Sequence, residues 1–586
     1  MYQVRNSIHS INPAGRILKK NNTGGSSMRI FCLFLVSCSF CYASECQKNL
    51  YFKDAGPLVE TSSGSIVGKY VKVFDTDVAA FLGIPFAEPP VGDKRFLKTD
   101  PVTPWDGLLK ATKMPSPCIQ HSSRKFGWIP KSEASENCLF LNIWTPLTCC
   151  CKPSGRFPVL VWIYGGGFYS GSTDIDAYDG SIMASYGNAI IVSINYRVGI
   201  FGFLNDGTDD TPGNSGMHDQ LLALKWIQKN IQYFGGDPQS ITLFGESAGA
   251  MSVGLHMISP MSKGLFHRAI LQSGSPYHLT AADSPAIAQF KLKTFGEAVG
   301  CISNNSTEEY SASQVLACIK SKDSLELAKA EDKFTSKFPS FFIPTHGDEF
   351  LPKSPVELLE SGRFQDVDVL IGNNQNEGSI FLSYITPELF PLDAKPSVSK
   401  AIAEQIVIKL FATIPNFPTN EIFQYYFQSI PEEDTDAIVK AIADVFGDFV
   451  FVCPTLFFSE KIKNVHVYWN THRSLRSNFA DWLGATHFDE VPFVFGKPIL
   501  DTYNYTPDDS RYSADLIRNW VSFARSGNPL GEEGSKLNWP KFTTENPQVL
   551  VLNPRLSTNT TFPRLSQCEF WRSIFIQLSR NSTVSG

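Results

Sequence analysis

The chain has 586 residues, 43% of them hydrophobic, and a formal net charge of −6. That composition is enough to bury a large core, and an α/β fold of this length can grow as one unit. The mild acidity, with no long basic run, argues against nucleic acid as a partner and mildly favours a cationic ligand. No internal repeat is present.

The first predicted element is a leader over residues 1–43. Arg16, Lys19, Lys20 and Arg29 precede the apolar stretch Ile30–Phe40, and the small residues Cys41-Tyr42-Ala43 supply a cleavage site. The stretch is too short for an ordinary membrane span. The long segment before Met28 makes that methionine a second candidate start. No other span is expected, and the polar end Gln577–Gly586 shows no lipid-anchor pattern. Export makes disulfides expected. Of 13 cysteines, Cys32, Cys38 and Cys41 fall in the leader, and spacing alone does not pair the rest. Glycosylation sequons stand at Asn304, Asn305, Asn504, Asn559 and Asn581.

Residues 44–586 read as one α/β domain. Val59–Thr61 and Ser65–Val73 form a hairpin about Ser63-Gly64, and Ala79–Ala87 continues that edge region. Strands follow at Leu139–Trp144, Pro158–Tyr164 and Ala189–Tyr196. The last two are continuous apolar runs, as strands buried on both faces require. His218–Asn230 has helical periodicity. Ile241–Phe244 is the next strand. It leads into Gly245-Glu246-Ser247-Ala248-Gly249 and then a helix from Ala250. Short strands at Arg268–Gln272, Asp368–Ile371 and Val465–Trp469 come after it, with Val549–Leu552 the last. Strands alternating with helices predict a large, mixed, mostly parallel sheet covered by helices on both faces.

Strand, G-x-S-x-G and helix in that order make a nucleophile elbow around Ser247. A side chain at either flanking glycine would collide with the neighbouring strand or helix. A serine needs a base, and the base needs an orienting group. Glu377 lies in the loop after the Asp368–Ile371 strand, where sites of open α/β sheets gather. Among the later histidines, His487 sits in a glycine-bearing loop past the Val465–Trp469 strand and is best placed. His472 is the alternative. Gly165-Gly166-Gly167, after the Pro158–Tyr164 strand, suits an oxyanion-binding loop.

The stretches F-L-G-I-P-F-A-E-P-P (81–90), S-E-N-C-L-F-L-N-I-W (135–144), W-I-Y-G-G-G-F-Y-S-G (162–171), G-E-S-A-G (245–249) and H-F-D-E-V-P-F-V-F-G (487–496) resemble the type-B carboxylesterase and cholinesterase family. The resemblance covers essentially the whole chain beyond the leader and implies the α/β-hydrolase fold. It implies Ser247, Glu377 and His487 as a catalytic triad, with the backbone N–H groups of Gly166, Gly167 and Ala248 as the oxyanion hole. It also implies disulfides Cys118–Cys138, Cys301–Cys318 and Cys453–Cys568. It leaves Cys46 and Cys149-Cys150-Cys151 unpaired, calls for no metal or cofactor, and implies reaction with organophosphates and carbamates. A homodimer through a C-terminal helix at Phe570–Leu578 would also fit the family.

Trp128 stands ten residues before Cys138, which resembles the placement of the tryptophan that binds choline in cholinesterases. A quaternary ammonium cannot donate hydrogen bonds, so a ring face is its natural partner. Glu246 adds negative potential. Tyr178 resembles a residue supporting that site, and Phe381 and Tyr384 resemble aromatic wall positions. The expectation is a secreted serine hydrolase of choline esters. The alternatives are a broad carboxylesterase and, on the adhesion proteins of the same family, a noncatalytic ectodomain. Around the acyl group Phe338 and Phe342 match, whereas Thr280 and Ser340 stand where bulkier aromatics would narrow the pocket. Ile380 and Phe479 also depart from the family's usual aromatics. A wide acyl pocket is therefore expected.

Overall fold

The computed structural model describes residues 51–53, 56–121, 130, 132–147, 155–208, 211, 213–278, 281–303, 311–335, 341–412, 414, 416–530 and 538–582. The leader, Trp128, Thr280, Phe338, Ser340, Asn304, Asn305, Cys46 and the cysteine run 149–151 lie outside them.

The early strands are β1 (Tyr51–Lys53), β2 (Gly56–Thr61), β3 (Gly64–Val67), β4 (Lys69–Val73), β5 (Thr76–Pro85) and β6 (Leu108–Lys110). The expected hairpin is present as β2 and β3. The single strand expected at Ser65–Val73, however, breaks at Gly68. There the chain leaves a four-stranded sheet, ordered β1-β2-β3-β6, and enters the main one. The break needs glycine, because a Cβ at residue 68 would lie 2.5 Å from the Ala80 carbonyl oxygen. The segment from Ala79 is not an edge either: β5 is covered by β4 on one side and β7 on the other.

The remaining strands are β7 (Phe140–Pro146), β8 (Phe157–Ile163), β9 (Ile190–Ile194), β10 (Gly236–Glu246), β11 (Arg268–Gln272), β12 (Asp368–Asn374), β13 (Val465–Asn470), β14 (Gln548–Leu552) and β15 (Thr558–Thr561). With β4 and β5 they form an eleven-stranded sheet, ordered β15-β14-β13-β12-β11-β10-β8-β9-β7-β5-β4. The run from β14 to β9 is parallel, and the pairings at both ends are antiparallel. The mixed, mostly parallel sheet is as expected, but β14 is not the last strand. The Thr558–Thr561 edge strand has no apolar alternation to announce it.

Strands β8 and β9 are buried along their whole length, which is why they read as unbroken apolar runs. Helices Gly180–Gly187, Ser215–Asn230, Ala248–Ile258 and Pro507–Ser526 pack on the sheet's strands. Pro507–Ser526 opens with a reciprocal Thr506–Asp509 capping box and closes on Gly527 in the left-handed region. The helical span Thr435–Ser459 is apolar and long enough to cross a membrane by composition alone, but it runs through the core. The disulfides Cys118–Cys138, Cys301–Cys318 and Cys453–Cys568 are all formed.

Candidate active site

Ser247 sits between β10 and the helix Ala248–Ile258 with φ 58° and ψ −125°. A non-glycine residue holds such a backbone only where its surroundings over-determine it. Those surroundings are close. A Cβ on Gly249 would fall 2.0 Å from the Ile163 carbonyl oxygen, and one on Gly245 2.5 Å from the Gly249 carbonyl carbon. The Ser247 N–H donates to the Gln272 carbonyl of β11 at 2.8 Å. The flanking glycines therefore do what the sequence implied: they let strand, turn and helix close around one serine.

The glycine loop after β8 abuts this turn. A Cβ on Gly165 would lie 2.4 Å from the Glu246 carbonyl oxygen and 2.9 Å from Ser247 Cβ. Gly166 and Gly167 both take positive φ, 114° and 63°, and the Gly166 carbonyl accepts from the Ser170 N–H at 3.0 Å. Ala248 is buried at the start of the helix.

Glu377 lies three residues past β12 in a fully enclosed turn. Its Oε1 accepts from the Asn374 N–H at 2.7 Å and from Asn373 Nδ2 at 3.3 Å. Its Oε2 lies 2.6 Å from His487 Nδ1. The two loops are laced together. The Asn376 N–H donates to the Ala485 carbonyl at 2.9 Å, and Ser379 Oγ lies 2.7 Å from the Leu483 carbonyl oxygen. Behind Glu377 the turn is pressed onto the long helix: a Cβ on Gly378 would come within 1.9 Å of the Ala443 carbonyl oxygen.

The second ring nitrogen, His487 Nε2, lies 2.9 Å from Glu246 Oε1. That spacing is an ion-pair distance, and no regular hydrogen bond reaches Nε2 among the described residues. Burial by itself pushes the imidazole toward the neutral form. The carboxylates of Glu246 and Glu377 overcome it and raise the His487 pKa to about 10. Burial in turn raises the Glu246 carboxyl, partly offset by His487.

The structure brings Ser247's turn, Glu377 and His487 together. His472, the other histidine considered, is instead 2.6 Å from Asp509, at the capped end of Pro507–Ser526. Phe381 stands over the His487 ring at 5.1 Å between centroids, with Tyr384 a further 5.7 Å from Phe381. Tyr178 is buried against Trp162, Phe488 and Phe495. Phe342 is buried against Phe295 and Phe341. Asn504 and Asn559 are exposed, and Asn581 falls in the helix Leu565–Ser582.

One buried acid was missed from sequence. Glu490 accepts from Gln272 Nε2 at 3.0 Å and from Asn374 Nδ2 at 2.5 Å. Burial and the nearby Glu246 charge push its pKa up to about 7. The only signal was its place in the same H-F-D-E stretch as His487. Phe451, whose ring centroid lies 4.3 Å from that of His487, was missed as well.

A strained serine, an imidazole held at Nδ1 by a carboxylate and a glycine loop pressed against the serine turn suit acyl transfer. The comparisons with known proteins agree. A model of the "Carboxylesterase family" matches residues 55–571. The chain is 39% identical over 542 residues to the acetylcholinesterase of Bungarus fasciatus, spanning 89% of this chain and 87% of that protein. It is 37% identical over 534 residues to the cholinesterase of Mus musculus, spanning 88% and 87%. A cholinesterase-like serine hydrolase with an α/β-hydrolase sheet, the chain belongs to the carboxylesterase family and is a carboxylic ester hydrolase.

Proposed function

We propose that this enzyme hydrolyses choline esters, acetylcholine foremost, outside the cell. The observation that carries the mechanism is the 2.6 Å contact of His487 Nδ1 with Glu377. A proton held on Nδ1 leaves Nε2 to take the Ser247 proton as the hydroxyl attacks the ester carbonyl. The backbone N–H groups of Gly166, Gly167 and Ala248 receive the oxyanion. The imidazolium returns its proton to the departing alcohol. Water then repeats the cycle on the acyl-enzyme. Organophosphates and carbamates stop at the modified Ser247.

Trp128 takes the quaternary ammonium on its ring face, and Glu246 adds a negative charge beside the nucleophile. The similarity to an acetylcholinesterase and a cholinesterase supports this substrate class. A leader at 1–43, three disulfides and the exposed sequons Asn504 and Asn559 support export. The helix Leu565–Ser582, with Ile576 exposed, is the proposed face of a homodimer.

The test is a steady-state comparison of acetylcholine, butyrylcholine and a neutral acetate on the purified protein. Acetylcholine should exceed the neutral acetate in kcat/KM. Butyrylcholine should stay within about tenfold of acetylcholine, because Thr280 and Ser340 leave out the bulk that would reject extra methylenes, each worth roughly 10- to 200-fold in a tight pocket. Equal rates on choline and neutral esters would instead favour a broad carboxylesterase.

The raised His487 pKa gives a signed pH prediction. A base must be unprotonated, and an unperturbed imidazole would lose activity below roughly pH 6–6.5. Here Glu246 and Glu377 hold the proton on, so the acid limb should lie above that range. Glu246→Gln removes one of the two charges and should move the acid limb of kcat/KM for a neutral ester to lower pH. An unmoved or upward-shifted limb would sink this account of Glu246.

A further inference from the structure

The long helix behind the site does not run regularly. Between Thr435–Gly447 and Cys453–Ser459 it widens into a π-turn over Asp448–Val452. Each residue of an α-helix turns the chain by about 100°, so a one-residue widening swings every later side chain by about that angle. The direction of Phe451 depends on it. Its ring lies 4.3 Å from the His487 ring between centroids, with an interplanar angle of 33°, and 5.4 Å from Phe381.

Both ends of this turn are pinned by one short C-terminal segment. At the first residue, the buried Asp448 carboxylate accepts from Arg564 Nε at 3.0 Å and Nη2 at 2.5 Å, and from the Tyr426 hydroxyl at 2.6 Å. Arg564 also reaches Asp444 at 3.2 Å, and Trp571 Nε1 donates to the Tyr426 oxygen at 2.7 Å. Immediately after the last residue, Cys453 is bonded to Cys568. Residues 564–571 thus grip the turn before and after the phenylalanine that it presents.

Resting on the triad reading above, we infer that Phe451, Asp448 and Arg564 are positioning residues for His487. The π-turn is held open so that Phe451 fixes the imidazole plane between Glu377 and the ester. A tilted ring would still find Glu377 but would miss the leaving oxygen. The step most exposed to this is proton delivery to a poor leaving group. An alkoxide must be protonated as its C–O bond breaks, whereas a nitrophenolate departs without that proton.

The experiment compares kcat/KM for n-butyl acetate with that for 4-nitrophenyl acetate. Both give the same acetyl-enzyme, so only the leaving group differs, and the ratio is independent of how much protein is folded. Phe451→Leu, which keeps an apolar side chain but removes the ring, should lower the butyl-to-nitrophenyl ratio by about fivefold or more, a fraction of the 100- to 10,000-fold that general acid–base catalysis commands. Arg564→Gln should lower the ratio in the same sense, and Arg564→Lys, which keeps the charge on Asp448, should lose less. The titratable groups facing His487, namely Glu246, Glu377 and Asp489, and those facing Asp448, namely Arg564, Asp444 and Tyr426, are untouched by Phe451→Leu. Equal losses on both esters, or none, would overturn the proposal and leave the triad standing. A wild-type protein that cleaves neither acetate would overturn the triad reading and this inference with it.

Discussion

Glu377→Gln should cut kcat for ester hydrolysis roughly 10⁴-fold while KM changes little. The substitution keeps the size of the side chain, so the loss must come from charge and proton placement. The local hydrogen bonds decide how the new amide sits. Glu377 Oε1 now accepts two donors, the Asn374 N–H and Asn373 Nδ2. Only the amide oxygen can satisfy them, so the amide nitrogen is turned toward His487 Nδ1. His487 Nδ1 must then accept from that amide, the ring proton moves to Nε2, and the atom that should take the serine proton already carries one. Glu377→Asp tests the same contact by length, since it retains the charge but loses a methylene of reach. Activity of the glutamine variant within tenfold of wild type, after normalising to folded protein, would show that Glu377 does not orient the base.

How much of this was legible in the sequence depends on how local the cause is. The elbow was legible because strand, G-x-S-x-G and helix fall in one continuous stretch, and Gly245 meets Gly249 within it, although the carbonyl that excludes a side chain at Gly249 belongs to the distant Ile163. Glu377 and His487 were legible by position, as loop residues past β12 and β13, the standard place for sites on a parallel sheet. Glu490 was not. Next to His487 it looks like any loop acid, and only folding brings Gln272 and Asn374 against it. Phe451 was not legible either, because an apolar run through Phe446, Phe449, Phe451 and Phe457 carries no mark of a π-turn. The break at Gly68 escaped for a related reason: the residues on either side alternate well enough for one strand, and the obstacle is a carbonyl of β5. Local pattern reports the elements and their order. It does not report which distant backbone or buried donor each residue meets.

Trp128→Ala should reduce kcat/KM for acetylcholine about 5- to 30-fold, and further if the ring site is fully desolvated, while hydrolysis of a neutral acetate falls by less than twofold. The range follows from a cation–π contact of about 1–2 kcal/mol. A quaternary ammonium offers no N–H to a carboxylate, so Glu246 can attract it but cannot orient it. An aromatic face does both and is indifferent to a neutral alcohol. Trp128→Phe separates ring from bulk: it should recover part of the choline preference, because the weaker quadrupole of phenylalanine still binds the cation. Measuring KM and kcat apart adds a second check. Losing a contact made equally in ground and transition states raises KM and leaves kcat alone. Parallel losses on the choline and neutral esters would assign Trp128 to loop packing and move the substrate reading to the broader carboxylesterase.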